Sequence, residues 1–166
     1  MVRRDCARGF SEGMEEAKPK YYIDLKWYDE HGRSFRTVTQ TRLCDSCKDK
    51  IGTETQERVP SIDRKTGRVV FELKSVPFAD NPMSVIRSCC SKRRDYITPE
   101  TPVLEAIFRI LLATSNQPMD VERLREELGN FVAMSERPHA YSPELMERLI
   151  RADRNYGLRE FDLAAE

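Results

Sequence analysis

Up to Ile97 the apolar residues recur in steps of two, and from Thr98 onward in steps of three and four, so the chain predicts strands first and helices afterwards. YYIDLKWY puts Tyr21, Ile23, Leu25 and Trp27 on one side and Asp24 and Lys26 on the other, the pattern of a half-buried strand. After the loop DEHGR, whose glycine suits a positive φ, SFRTVTQTRL is rich in Thr, Val and Phe and predicts the second arm of a β-hairpin. That hairpin would lead directly into Cys44. ERVPSI and RVVFELKSV, joined by DRKTG, predict a second hairpin, in which Pro60 suits only an edge strand. Val69, Phe71 and Leu73 share one face of it, opposite Arg68, Glu72 and Lys74. A bend at PFADNP then brings the chain to Cys89 and Cys90.

In the second part, Thr101 and Pro102 read as the start of a helix carrying Leu104, Ile107, Phe108 and Leu111, halted by Asn116, Gln117 and Pro118. Asp120 caps a second helix with Val121, Leu124 and Leu128 inward, Met119 placed to staple onto Leu124, and Gly129 at its end. Ser142 and Pro143 open a third, with Leu145, Met146, Leu149 and Ile150 inward, and LREFDL follows as a short strand or extended tail. Residues 1–20 are polar, with two glycines, a proline and no sustained period, and are expected to be a disordered tail. The expected architecture is α+β: this tail, a zinc-ribbon-like antiparallel β module over 21–97, and a three-helix domain over 98–166.

Charge divides at the same place. Basic residues outnumber acidic ones 20 to 15 up to Ile97, and after it acidic residues lead 13 to 8, so the net charge of zero is a cancellation between two segments suited to different partners. No apolar run approaches the length of a membrane span or a signal peptide, so a cytoplasmic protein without a membrane partner is expected.

In a reducing compartment the spacing of CDSC points to metal or redox chemistry rather than to a disulfide. Two residues between sulfurs let both thiolates of a tight turn face one tetrahedral ion, and the adjacent pair Cys89 and Cys90 would close the site begun by Cys44 and Cys47. Neighbouring side chains of an extended strand diverge, so this closure requires the backbone to bend between Cys89 and Cys90. The expected ligand is Zn2+, held by four cysteines. Three alternatives stand beside it. A three-cysteine site could be completed by His31 or Cys6, either of the paired cysteines could be a buried thiol, or CDSC could be a redox pair activated by Lys48 and Lys50. His31 is expected in an exposed turn, His139 has no ligand neighbour in sequence, and Cys6, in the tail, is expected to be free. A β module of about 75 residues buries little apolar area, so a metal would contribute to its folding.

Lys92, Arg93 and Arg94 follow the paired cysteines at once, and a metal-tied loop would present their charge to phosphate in a fixed direction, with Tyr96 available to stack on a base. The order helix, helix, helix, LREFDL, with the pattern TPVLEAIFRILLATSNQPMDVERLREEL, resembles a winged-helix domain, the helix-turn-helix variant with a β-wing. The resemblance covers Thr98 to Glu166 and implies that the helix from Ser142 lies in a DNA groove, with Arg154 and Arg159 near the wing contacting backbone. Against DNA reading, NFVAMSERPHAY is longer than a simple helix-turn-helix turn, and Glu144 with Arg148 and Glu147 with Arg151 are spaced for pairing within the helix. The acidic domain would then meet a protein partner or a second copy. No carboxylate pair, Ser/His/Asp set or glycine-rich phosphate loop has usable spacing. The chain is therefore expected to be a non-enzymatic zinc-binding regulator or adaptor associated with nucleic acid in transcription. The alternatives are a protein-interaction module with structural zinc and a thiol redox protein.

Overall fold

The computed structural model describes residues 17–162. It is a mixed helix and strand fold, with seven helices and two small antiparallel sheets among the described residues. Strand β1 (Tyr21–Ile23) is followed by three short helices, α1 (Leu25–Glu30), α2 (Phe35–Gln40) and α3 (Asp45–Lys48). A long ribbon of β2 (Glu54–Ile62) and β3 (Val69–Pro77) leads to α4 (Pro82–Ser88) and a 3-10 turn at Cys90–Lys92. Helices α5 (Val103–Ala113), α6 (Val121–Gly129) and α7 (Pro143–Arg151) precede strand β4 (Leu158–Glu160). No helix of the described residues is long and apolar enough to cross a membrane.

The ribbon expected from ERVPSI and RVVFELKSV is present, with Ile62 opposite Val69 and Glu54 opposite Pro77. The hairpin expected before Cys44 is not. Its first arm stops being a strand at Asp24, whose carboxylate accepts from the Lys26 backbone N–H and caps α1. Its second arm is α2, started by Ser34, whose hydroxyl accepts from the Thr37 N–H. The β-branched run Thr37, Val38 and Thr39 is poor helix material. Thr39 is nonetheless fully buried, and its hydroxyl donates to the Phe35 carbonyl at 2.8 Å, so burial and local bonding override propensity. The part before the ribbon is thus helical rather than a β module.

β1 joins distant parts of the chain across the expected boundary at residue 97. On one side it pairs with β4, Ile23 opposite Leu158, and the Phe161 N–H extends the ladder to the Lys20 carbonyl at 2.7 Å. On the other side Tyr21 exchanges both backbone bonds with Met119, the residue expected to act as a staple. Asn116 continues that edge with its side chain: its amide accepts from the Ile23 N–H at 2.7 Å and donates to the Ile23 carbonyl at 2.8 Å. Of the expected tail, residues 1–16 lie outside the described residues, while Lys18 reaches Glu122 at 3.2 Å.

Around this ladder the core is continuous. Helix α5 is buried on nearly every side, and Ile107, Phe108, Leu111, Leu124, Met146 and Ile150 pack with Tyr21, Ile23, Tyr28 and Leu158. Gly157, at φ +69°, turns the chain into β4 where a Cβ would lie 3.0 Å from the Trp27 ring and 3.1 Å from the Tyr28 ring. Asp153 organises the same turn: it is buried and accepts from the backbone N–H groups of Asn155, Tyr156 and Leu158.

Candidate metal centre

Each cysteine of the cluster sits at a helix end. Cys44 is the residue before α3 and Cys47 is in its only full turn, so the CDSC spacing puts both sulfurs on the same side. Cys89 ends α4 with φ −128° and ψ −68°, outside the helical region, and this is the bend that lets consecutive residues aim at one point. Cys90 then opens the 3-10 turn, fully buried, while Cys89 stays exposed.

The four sulfurs lie within 4.8 Å of one another. The short contacts run across the two motifs, Cys44 to Cys90 at 3.6 Å and Cys47 to Cys89 at 3.7 Å. Metal–sulfur bonds of about 2.3 Å in a tetrahedron give sulfur–sulfur edges of about 3.8 Å, so the spacing fits a tetrathiolate ion. It is far too long for a disulfide, and the four cysteines are free. The Cys44 backbone N–H donates to the Cys90 sulfur at 3.2 Å, the kind of outer bond that steadies a thiolate ligand. Such a set could hold a metal ion.

The thiols differ in acidity. Cys44 is lowered to about 6, first by the Ser46 hydroxyl beside it at 3.3 Å and then by its sulfur neighbours against some opposing burial. Burial pushes Cys47 and Cys90 up. A divalent ion would supply the charge that lets the buried pair ionise together with the others.

Behind the cluster a charged network ties it to the central helix. Glu105, nearly buried, receives both arms of Arg42, at 3.1 and 2.9 Å, and Arg109 at 2.8 Å. Arg109 also donates to the Tyr96 carbonyl, and the Tyr96 hydroxyl donates back to the Arg109 carbonyl. Burial pushes the Glu105 carboxyl up, but the two guanidinium groups outweigh it and hold the acid below its ordinary value. Arg42 lies two residues before Cys44, so this inward glutamate positions the first knuckle. The apolar period of α5 does not announce it.

The other expected site residues are dispersed. His31 stacks on Trp27 at 4.3 Å and bonds its carbonyl through Nδ1, away from the cysteines, and His139 is exposed. Cys6 lies outside the described residues. Lys48 is 3.9 Å from Asp45, and Lys50 lies over the Phe78 ring. Lys92 and Arg94 are exposed and unpaired among the described residues, whereas Arg93 is held by both oxygens of Asp95. Tyr96 cannot stack on a base, because it is 4% exposed and its hydroxyl is engaged. Arg154 is exposed, but Arg159 folds back onto the carbonyls of Asp153 and Leu158 and over Trp27. The pairs Glu144–Arg148 and Glu147–Arg151 are not within 4.0 Å, so α7 does not neutralise its arginines as its spacing suggested.

In comparisons with family models, curated proteins and solved structures, nothing matches this chain.

Proposed function

We propose that the chain is a non-enzymatic zinc-binding adaptor or regulator whose metal fixes a basic corner for contact with nucleic acid. The observation that carries this reading is the cross-motif geometry of Cys44 with Cys90 and Cys47 with Cys89, on the scale of a zinc tetrahedron edge. An all-thiolate set of four suits a closed structural zinc site, with no open position for a substrate or water. Zinc would clamp α3 to the end of α4, across the root of the ribbon, and hold the 3-10 turn at Cys90–Lys92 still. Lys92 and Arg94 would present their charge from that turn. The sequence α5, α6, α7, β4, with Met119 paired to β1 between the first two helices, supports a winged-helix-like reading of the acidic part. There β1 replaces a wing hairpin as the partner of β4.

Binding of a fluorescent duplex and a single-stranded oligonucleotide to zinc-loaded protein, across a series of salt concentrations, tests the proposal. Affinity falls as salt rises, and Lys92→Ala with Arg94→Ala lowers the slope of log K against log salt by about 2, one for each phosphate that is no longer neutralised. No binding at low salt sinks the nucleic-acid part. A second reading, a protein-interaction module with structural zinc, is favoured by the exposed apolar face of the ribbon, and it predicts that zinc binds while no oligonucleotide does.

A further inference from the structure

The ribbon of β2 and β3 serves neither the cysteine cluster nor the basic corner, and one of its faces is apolar and open. The register sets Ile62 opposite Val69, Pro60 opposite Phe71 and Arg58 opposite Leu73, all on one side. Ile62, Val69, Phe71 and Leu73 are 69, 62, 68 and 65% exposed. The other side sets Val59, Val70 and Val76 among Thr55, Glu57, Ser61, Glu72 and Lys74, so small apolar residues there are interleaved with polar and charged ones. At its root the ladder ends with the Phe78 N–H on the Thr53 carbonyl, and among the described residues no helix or strand covers the apolar side.

We propose that this face is a dimerisation surface whose occupant is the same face of a second copy. A two-stranded ribbon is marginal in water unless a further layer covers its apolar side. Four large side chains, each about two-thirds exposed, offer on the order of 400 Å2 of apolar area per copy, the size of the largest patch on a soluble monomer, which is often functional. Two such faces with the polar margins of the ribbons reach the roughly 1,000 Å2 that a specific interface requires. Stacked face to face, they form a small sandwich with sheets about 10 Å apart. A net charge of zero raises no long-range repulsion between copies, and the charged side chains of this face, Glu54 and Arg58, are opposite in sign. Pro60 removes a backbone donor from β2, which disfavours growth along that edge of the ribbon. Residues 1–16 are a poor cover for it, with Val2, Phe10 and Met14 scattered among charges.

Sedimentation equilibrium of the full, zinc-loaded chain between about 1 and about 100 µM is the test. A reversible dimer is expected. F71E, or L73E as a second variant, weakens association by at least about 100-fold, because a charge in the centre of such a face is buried unpaired. E72K, on the opposite face, leaves it unchanged. Zinc content and far-ultraviolet circular dichroism stay the same in all three. A monomer throughout the range, which would leave the face to another protein or to the chain's own N-terminal segment, overturns the proposal. So does a dimer that survives F71E and L73E, or one that E72K abolishes equally. Because the readout is mass and not nucleic-acid affinity, the outcome is independent of the basic corner.

Discussion

The sulfurs of Cys47 and Cys89 lie 3.7 Å apart although the whole β2–β3 ribbon separates them in sequence, so the cluster closes the root of that ribbon like a ring. If zinc is the closure, purified protein carries one equivalent per chain. Of five cysteines only Cys6 then reacts promptly with a thiol reagent, and all five react after chelation. Cys47→Ser or Cys90→Ser loses the metal. Hydrogen exchange then accelerates in α3, α4 and the ribbon while β1 stays protected, because β1 is held by Met119 and β4 and not by the cysteines. Atomic emission with exchange mass spectrometry reads both.

Glu105 carries the connection between that ring and α5. Glu105→Gln strips the countercharge from Arg42 and Arg109, and a loss of about 3 kcal/mol is expected in urea unfolding. The pH dependence follows from the depressed acidity. The carboxylate's contribution is complete above the ordinary glutamate value of 4.5 and is lost as pH falls through the lower value it has in the fold. Wild-type stability therefore falls more steeply than that of Glu105→Gln below about pH 4.5, and the two curves converge in acid.

Gly157 stands at a positive φ and faces two aromatic rings. Gly157→Ala combines the cost of a left-handed alanine with overpacking against Trp27, together about 3 kcal/mol, and should shift the tryptophan emission of the native state. A wild-type unfolding midpoint in this variant would contradict the close approach.

Among the described residues Asp153 has no cation as partner; its carboxylate is held by backbone donors. Asp153→Ala leaves the Asn155, Tyr156 and Leu158 N–H groups without their acceptor and should cost about 3 kcal/mol, measured by thermal or urea unfolding. Asp153→Asn, which keeps one acceptor oxygen, should cost less.

The helices α5, α6 and α7 are legible because each shows three or four apolar residues at helical spacing, and Asp120 and Ser142 cap the last two as expected; α5 starts one residue later than expected, at Val103, with Pro102 before it and the Thr101 hydroxyl taken by the Thr98 N–H. The β2–β3 ribbon was legible from DRKTG and the alternation after it. The first expected hairpin gives way to helices where local signals compete. Asp24 and Ser34 are helix caps standing beside β-branched or alternating residues, and burial of Trp27, Tyr28 and Thr39 decides in favour of helix. For the cluster, CDSC is a local geometry and shows in the sequence. Its closure by Cys89 and Cys90 depends on one bent residue, which two adjacent cysteines merely imply. Arg42 with Glu105, 63 residues apart, left no trace in any local pattern, and neither did the pairing of β1 with β4.

The Tyr28 hydroxyl bonds the Tyr156 carbonyl across 128 residues, and the strand just before it is sandwiched between segments that follow it at a great distance along the chain. A nascent polypeptide leaving the ribosome therefore cannot complete β1 until Glu160 has emerged. Tyr21 and Ile23 lack their partners until then, so the ladder around the first strand closes late and the fold does not grow outward from it.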